Sequence, residues 1–303
     1  METKLTPKET DEYLTRIHYT GAKEPTIEAL SELQRCHILS IPFENLSVFG
    51  KEEIILSKDW LFAKLMRRNR GGYCYELNYM LSLLLDYFGF NYNIHAASVF
   101  DNTRGTGNLN PPSHVVIVVN IDGQQWLTDV GFGDIFWTPL HFTGLGEHQE
   151  QPSGTYRIRK DGYNYIYEEK VKMIVDEIGG EKREKEPAIF ANTDWVPRYQ
   201  FVLNPKKIED FHEWLIYNQT DPKSPFTHDR ICTMAKPWGR ETLSGSKLVT
   251  TTYLGGNKVK KETRELVGGE EEVVEELEQK FGIRRDTCFY PEGSMFYGVQ
   301  WNN

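Results

Sequence analysis

A glycine pair followed at once by a cysteine and a long apolar stripe constrains this chain most. Gly71 and Gly72 precede Cys74, and because they lack side chains they permit a tight change of chain direction. From Leu77 onwards, apolar residues recur at helical spacing, at Met80, Leu81, Leu84, Leu85 and Phe88. The pattern predicts an amphipathic helix that begins near Cys74, ends by Gly89 and turns one face to a core.

The position of Cys74 in this segment indicates chemistry. At a helix N-terminus the unpaired N–H groups and the macrodipole favour the thiolate over the thiol. The thiolate is the nucleophilic form of cysteine. We therefore predict a reactive Cys74, although a lone buried cysteine is more often an inert small hydrophobe.

Composition excludes several other classes of protein. The 303 residues are 39% hydrophobic and 26% charged, as in soluble globular proteins, and suffice for about one to three domains. The net charge of -9 argues against nucleic acid as the main partner. No stretch approaches about 18 consecutive apolar residues, so no membrane span is expected. The N-terminus also lacks the apolar core of a signal peptide, and we expect a cytoplasmic protein.

The cysteines and histidines show no metal-site pattern. The four cysteines, Cys36, Cys74, Cys232 and Cys288, are far apart and form no CxxC pair. That spacing suits neither a zinc site nor a disulfide framework, and free thiols suit a reducing compartment. The eight histidines show no ligand spacing either, so no metal is expected.

Secondary-structure signals change along the chain. Helices are predicted in the first third, with Thr6, Thr26 and Ser57 as N-caps of the first three. Strands are predicted in the middle third, at residues 93–100, 115–119, 125–130, 155–160 and 163–169. Short strands and tight turns, such as Asp161 and Gly162, favour an antiparallel sheet closing into a barrel.

The last third is mixed. It has a helix signal at residues 211–217, a hairpin at 247–253 and 258–266, and a final acidic helix from about 270 to 281. The polar stretch 176–186, which precedes it, is predicted to be an exposed loop of no fixed role.

A hairpin in the middle third brings a histidine and an aspartate together. With Asp122 and Gly123 as a two-residue loop, paired residue numbers sum to 245, so that Ile121 pairs with Gln124. In that register His114 and Asp129 share one face as diagonal neighbours, roughly 7–8 Å apart at Cα. A slip by one residue would place them on opposite faces.

The three residues together would form a nucleophilic triad. Cys74 attacks, His114 takes its proton, and Asp129 accepts from the other ring nitrogen. Separately, each has a plainer explanation: a histidine at a strand start is usually at the surface, and an aspartate before Val-Gly-Phe-Gly can simply cap a turn. Spacing alone also leaves a cysteine protease, a transglutaminase or a binding protein open.

Several motifs, taken in order, resemble those of the arylamine N-acetyltransferases. Residues 70–76 (RGGYCYE) look like the family's nucleophile motif, and 129–133 (DVGFG) like its aspartate motif. His114 opens the strand where the family has its histidine. Three further blocks also match, at residues 13–17, 42–46 and 220–226. Asp221 departs from the pattern, because the family usually has serine there.

The resemblance implies an α+β fold in three parts. These are an N-terminal helical bundle over residues 1–90, a central antiparallel β-barrel over 91–205 and a C-terminal α/β lid over 206–303. The bundle would carry Cys74, and the barrel His114 and Asp129, around a core similar to that of cysteine proteases.

The resemblance also implies an activity. The family moves acetyl from acetyl-CoA to the nitrogen of an arylamine, arylhydrazine or N-hydroxyarylamine, through an acetyl-cysteine and with ping-pong kinetics. Such chemistry belongs to xenobiotic metabolism. A related enzyme that uses another acyl thioester remains an alternative, because pocket shape sets acyl size. The acceptor amine and the oligomeric state stay open.

The matching positions supply further candidate residues. Phe132 would line the acceptor pocket, and Arg70 and Glu44 would form a supporting ion pair beneath the catalytic helix. Contacts to CoA are expected from Gly133, Tyr217, Ser224, Ser113 and Asn110, with Lys223 and Lys236 near its phosphates. Asn78 lies off the apolar stripe and is expected to anchor a neighbouring loop.

Overall fold

The computed structural model describes residues 4–100, 113–186 and 188–285, which form an α+β fold. Its α-helices are α1 (Pro7–Arg16), α2 (Ile27–Ser40), α3 (Leu46–Phe49), α4 (Lys58–Phe62), α5 (Cys74–Tyr87), α6 (His212–Thr220) and α7 (Gly269–Phe281). A π-helical turn, Ala63–Arg67, continues α4, and short 3₁₀ turns cover Ala188–Phe190, Ile208–Phe211 and Pro225–Thr227.

The strands form two sheets. The first eight strands are β1 (Phe43–Glu44), β2 (Asn91–Val99), β3 (His114–Ile121), β4 (Gln124–Thr128), β5 (Leu140–His141), β6 (Gln149–Gln151), β7 (Gly154–Asp161) and β8 (Asn164–Lys170). The rest are β9 (Met173–Val175), β10 (Glu181–Arg183), β11 (Trp195–Lys206), β12 (Ile231–Lys236), β13 (Gly239–Ser244), β14 (Lys247–Gly255) and β15 (Lys258–Glu265).

The larger sheet is a nearly closed antiparallel barrel. Its eight strands run in the order β5-β4-β3-β2-β11-β8-β7-β6. Two glutamines bridge its outer strands by imitating backbone pairing: the Gln149 side chain accepts from the His141 N–H (3.0 Å) and donates to the His141 carbonyl (3.1 Å). Gln151 does the same with the Thr138 backbone (2.9 and 2.8 Å). The side-chain amides therefore satisfy groups that an open sheet edge would expose.

The seven-stranded sheet builds the lid and takes strands from distant parts of the chain. Its order is β1-β12-β13-β14-β15-β9-β10, so β1 from the bundle and β9–β10 from the middle of the chain join it. Helix α7 covers it with a buried apolar stripe that includes Val273, Leu277 and Phe281. The division at residues 90 and 205 stays a prediction, and this sheet draws on all three predicted parts.

The bundle and the barrel share one core. Buried side chains of α2, α5 and β3, among them Leu33, Leu81 and Val119, belong to a single apolar cluster. Because α5 packs on the barrel wall in this way, its first residue is fixed relative to β3.

Most element predictions hold. Thr6, Thr26 and Ser57 each cap a helix as predicted. The turn predicted at Asp161 and Gly162 is displaced by one residue: Asp161 pairs with Asn164, and Gly162 takes a positive φ of 58° as the first loop residue.

The prediction for residues 176–186 was wrong. Glu181–Arg183 forms a strand paired with Met173–Val175. Asp176 closes the turn between them, because its Oδ1 accepts from the N–H groups of Ile178 (3.1 Å) and Gly180 (2.7 Å). The segment is a hairpin at the end of the lid sheet.

Strand β11 was not predicted, and it is the longest in the barrel. Pro197 and Pro205 lie within it, and proline weakens a strand signal because it cannot donate to the ladder. The register shifts at both places, between Pro197 and Tyr199 and between Phe201 and Pro205, so bulges accommodate the prolines. The lid strands β12 and β13 were also missed.

The helices bear on whether the described part of the chain can span a membrane. Within residues 4–100, 113–186 and 188–285, none is long and apolar enough to cross a bilayer.

Candidate active site

Cys74 is the first residue of α5, with Tyr73 as N-cap. Glycine is required at the preceding positions because neighbouring atoms lie too close to leave room for a side chain. A Cβ added to Gly71 would lie 2.0 Å from the Pro42 carbonyl oxygen. Gly72 accepts from the Glu44 N–H (2.9 Å), so this turn is tied to the lid strand β1. Neither glycine takes a positive φ, so the structure requires glycine here for space and not for the backbone freedom that the sequence suggested.

The hairpin register places His114 and Asp129 as predicted. Ile121 pairs with Gln124 and Ile117 with Thr128, and Asp122 and Gly123 take positive φ values of 50° and 78°. The Nε2 atom of His114 lies 2.7 Å from Oδ2 of Asp129, and both side chains are buried. A carboxylate accepts, so Nε2 carries a proton and Nδ1 is left to accept one.

The loop after Asp129 lies directly against the start of α5. A Cβ added to Gly131 would lie 2.7 Å from the Cα of Cys74 and 2.7 Å from Nδ2 of Asn78. The backbone of Val115, the residue after His114, also lies close enough to the Cys74 sulfur to lower the pKa of its thiol. The fold therefore brings the beginning of α5 to the His114–Asp129 pair.

Asn78, one helical turn after Cys74, joins the helix to the barrel. Its Nδ2 donates to the Val115 carbonyl (2.8 Å) and to Oδ1 of Asp129 (2.9 Å), and its Oδ1 accepts from the Val130 N–H (3.0 Å). Gly131 N–H also donates to Oδ1 of Asp129 (2.8 Å). Two donors thus hold one carboxylate oxygen while the other faces His114. Asn78 anchors a loop, as expected, and it orients Asp129 as well.

Two opposing effects act on the Cys74 thiol. Burial raises its pKa far above the ordinary value, and the charge of Asp129 raises it further, whereas the backbone at Tyr75 and Val115 lowers it. The helix N-terminus acts in the predicted direction, and burial opposes it. A base such as His114 is therefore needed to take the proton from the sulfur.

Aromatic rings enclose His114. Its ring centroid lies 5.2 Å from that of Phe132 and 5.1 Å from that of Tyr199, and the latter two lie 5.2 Å apart. Burial raises the pKa of the Tyr199 phenol, as does the nearby charge of Asp129. Tyr199 was missed because β11 was missed, although two aromatic residues two apart, Tyr199 and Phe201, could have signalled an inward-facing strand.

Phe132 is half-buried and lines a cavity of about 260 Å³. The cavity walls comprise Val99, Phe100, Phe132, Asp134, Glu169, Pro197 and Arg198. Asp134 fixes this loop, because it lies 3.2 Å from Nζ of Lys172 and 3.0 Å from Nε of Arg240. Arg240 belongs to the lid strand β13, so the ion pairs join loop, barrel and lid.

Gly133 stands at the contact between this loop and the lid. Its φ is 85°, and an added Cβ would lie 3.2 Å from the Thr233 side chain and 3.6 Å from the Phe43 ring. Both the backbone conformation and the available space therefore call for glycine.

Arg70 and Glu44 form the predicted ion pair. Arg70 Nη2 lies 2.9 Å from Glu44 Oε1, and neither side chain is exposed. The other Glu44 oxygen accepts from the Leu46 N–H (2.6 Å). The pair joins the turn before Cys74 to the start of α3.

Replacing Arg70 with methionine is expected to lower the free energy of unfolding by about 3–5 kcal/mol, because Glu44 would keep a buried charge without its partner. Urea denaturation would measure the loss, with Arg67→Met as control, because Arg67 is 58% exposed where it pairs with Glu12. That control should change by at most about 1 kcal/mol. Equal stability of the two variants would contradict the supporting role of Arg70.

The residues expected to contact CoA are spread over the cleft and the lid. Ser113 is half-buried, and its hydroxyl accepts from the Val99 N–H (2.9 Å). Tyr217 is half-buried on α6, and Lys223 is exposed in the turn that follows. Lys236 donates from Nζ to the Lys280 carbonyl. Asn110 lies outside the described residues.

Ser224 is less accessible than expected. It is fully buried, its hydroxyl donates to the Asn218 carbonyl (3.2 Å), and it accepts from the Phe226 N–H (3.3 Å). Its own lid segment therefore uses its hydrogen bonds, and contact with CoA stays a prediction that would require this turn to open.

The cysteines and other potential metal ligands lie apart in the described part of the chain. It holds no group of three or more His, Cys, Asp or Glu side chains placed to bind a metal ion. Cys36, Cys74 and Cys232 are all buried, and Cys288 lies outside the described residues.

Comparison with known proteins agrees with this geometry. A family model described as N-acetyltransferase matches residues 26–288. The chain is 32% identical over 285 residues to a Gallus gallus arylamine N-acetyltransferase, pineal gland isozyme NAT-3, covering 92% of this chain and 96% of the relative. It is 30% identical over 298 residues to arylamine N-acetyltransferase 2 of Mus musculus, covering 95% and 98%.

Solved structures show the same similarity. The arylamine N-acetyltransferase of Salmonella typhimurium superposes with a TM-score of 0.78 at 27% identity, covering 92% of each chain. That of Bacillus cereus, described as having a unique Cys-His-Glu catalytic triad, gives a TM-score of 0.74 at 25% identity, covering 92% of this chain and all of that one.

Proposed function

This chain belongs to the arylamine N-acetyltransferase family, and from that membership we propose an acyltransferase that carries acetyl on Cys74. It moves acetyl from acetyl-CoA to the nitrogen of an arylamine, arylhydrazine or N-hydroxyarylamine in two steps. One observation carries the proposal: the loop after Asp129 and the residue after His114 both contact the first residue of α5. A nucleophile, a base and its orienting carboxylate are thus within one buried site.

In the first step His114 accepts the Cys74 proton at Nδ1, and the thiolate attacks the thioester carbonyl carbon. The Tyr75 backbone N–H lies beside the sulfur and can donate to the oxyanion that develops on the attacked carbonyl. The C–S bond to CoA then breaks, and the departing thiolate takes the proton from the imidazolium. Acetyl remains on Cys74.

In the second step the acceptor nitrogen attacks the carbonyl of acetyl-Cys74. The nitrogen loses its proton to His114 as the C–S bond breaks, and that proton returns to the Cys74 sulfur. The same histidine thus acts as base and acid in both halves. Ping-pong kinetics follow from the covalent acetyl-Cys74 intermediate, because CoA leaves before the acceptor reacts. Asp129 holds Nε2–H throughout, so Nδ1 remains the atom that exchanges protons.

Phe132 is proposed to line the acceptor site, because its ring packs on His114 and faces a cavity large enough for a small aromatic ring. Gly133, Ser113 and Tyr217 are proposed to contact CoA where the barrel meets the lid. The reaction needs Cys74 as a thiol, and for that reason we propose a reducing compartment, the cytoplasm.

The test is the intact mass of the wild-type protein after brief exposure to acetyl-CoA. We expect a single acetyl increment that peptide mapping places on Cys74 and that an arylamine such as 4-anisidine removes as the N-acetyl product. An increment only with a bulkier acyl-CoA would refute acetyl as the donor group. Failure to label with any thioester, together with cleavage of peptides, would refute acyl transfer from CoA and point to a protease-like enzyme.

A further inference from the structure

We propose that Lys64 is a positioning residue for the reaction: it neutralises Glu76 beside the start of the catalytic helix and so permits the Cys74 thiolate to form. The inference rests on the proposed function, because it assumes that Cys74 reacts as a thiolate. Lys64 does not touch the reacting atoms.

Lys64 is a wholly buried cation with a single close carboxylate. It lies in the π-helical turn Ala63–Arg67, and its Nζ is 2.6 Å from Oε1 of Glu76. The exposed fractions of the two side chains are 1% and 0%. The Trp60 ring, with its centroid 5.4 Å from Nζ, covers the ammonium group. An ion pair without solvent screening interacts strongly with any charge that forms nearby.

Glu76 places its charge next to the nucleophile. Its Oε2 accepts from the Tyr73 N–H (3.1 Å), immediately before Cys74. A Cβ added to Gly72 would lie only 2.7 Å from the same oxygen, so the carboxylate rests on the backbone of the turn. The negative charge of Glu76 raises the pKa of the Cys74 thiol, after the larger effects of burial and of Asp129.

The other charges facing Glu76 are already matched. Glu44 raises the pKa of Glu76, and Arg70 lies against Glu44 at 2.9 Å. Beyond Arg70, Glu52 is balanced by Arg68 at 3.4 Å. Removing the Lys64 charge therefore leaves one uncompensated negative charge beneath the first turn of α5 at every pH at which Glu76 is ionised.

That charge has a definite effect on the reaction. An anionic Glu76 without Lys64 opposes a second negative charge on the Cys74 sulfur. Burial already raises the pKa of Glu76 to about 6 while Lys64 acts to lower it, so removal of Lys64 moves this titration to higher pH. Conversely, an amide in place of Glu76 leaves the Lys64 cation free to favour the thiolate.

The experiment measures the rate of Cys74 alkylation by iodoacetamide between pH 5.5 and 9, with peptide mapping to separate Cys74 from the other cysteines. Above the pH at which Glu76 ionises in the variant, towards pH 9, we expect Lys64→Met to react about tenfold more slowly than the wild type, a size consistent with one nearby charge at an effective dielectric constant of about 20. Below that pH the difference should disappear, because Glu76 is then neutral. Glu76→Gln should react faster, and its pH profile should shift downward. Lys64→Arg keeps the charge and should stay within about threefold of the wild type.

The double variant Lys64→Met/Glu76→Gln decides between electrostatics and simple packing. If Lys64 acts by neutralising Glu76, the double variant should react faster than Lys64→Met and slower than Glu76→Gln. A packing role would impair all variants in the same direction. If Lys64→Met does not fold, the alkylation rates of Glu76→Gln and of the double variant can still be compared. Equal rates for those two variants would refute the proposal.

The alkylation readout keeps this inference separate from the proposed function. Iodoacetamide reports on the thiol without any acyl donor. The expected opposite shifts, together with no acetyl-Cys74 from acetyl-CoA, would refute the acetyl transfer and retain the role of Lys64. Acetyl-Cys74 formation together with unshifted alkylation profiles would retain the acetyl transfer and refute the role of Lys64.

Discussion

Replacing Cys74 with alanine is expected to abolish acetyl transfer, with a loss of at least about 10⁴-fold in kcat, because no other group in the site can hold the acetyl intermediate. His114 and Asp129 would remain in place but would have no thiol proton to take. Intact mass after exposure to acetyl-CoA should show no increment, and release of CoA in the presence of an arylamine should fall to background.

The other described cysteines provide the control for this variant. Cys36 lies on α2, and burial raises the pKa of its thiol to about 11. Cys36→Ala should therefore label and turn over like the wild type. Cys74→Ser keeps the size of the side chain but has a hydroxyl, so it should be folded and nearly inactive. An acetyl increment that persists in Cys74→Ala and is discharged by an arylamine would show that the nucleophile lies elsewhere.

Replacing Asp129 with asparagine is expected to lower kcat by about 10²–10⁴-fold with little change in the fold. The structure dictates how the amide would sit. Two donors, Asn78 Nδ2 and Gly131 N–H, surround Oδ1 of Asp129, so the asparagine oxygen must take that place. Its NH₂ then faces Nε2 of His114, which must accept. The proton moves to Nδ1, the atom needed to receive the Cys74 proton.

This variant has a charge-matched control and a counterpart that keeps the negative charge. Asp161→Asn removes a carboxylate from an exposed hairpin of the same barrel and should leave kcat unchanged. Asp129→Glu keeps the negative charge and should retain more activity than Asp129→Asn, although the longer side chain displaces the Asn78 contacts. Normal acetylation of Cys74 in Asp129→Asn would contradict the orienting role of Asp129.

The sequence predicted the parts of the site that depend on near neighbours. The register of β3 and β4 follows from the loop at Asp122 and Gly123, because a two-residue turn fixes which residues pair. Similarly, Pro7 and the caps at Thr6 and Thr26 mark helix starts by local hydrogen bonding. These features need no knowledge of what packs against them.

Other parts depended on contacts between distant segments. Strand β11 carries prolines that weaken its signal, yet it is held from both sides by β2 and β8. Tyr199 reaches His114 only because that strand is in the barrel. Taken by itself, the sequence of residues 176–186 resembles that of a loop. In the structure β9 pairs with β15, so the hairpin that contains these residues extends the lid sheet.

By itself, then, the sequence determined that Cys74 begins a helix and that His114 and Asp129 share a face. Only the tertiary structure decided that these elements meet, that Asn78 holds Asp129 in place, and that burial raises the pKa of the Cys74 thiol. The reason is that the charge state of a group depends on how completely it is removed from water and on which charges accompany it. Lys64 and Glu76 show this, since twelve residues separate them in sequence and packing alone places their charges 2.6 Å apart.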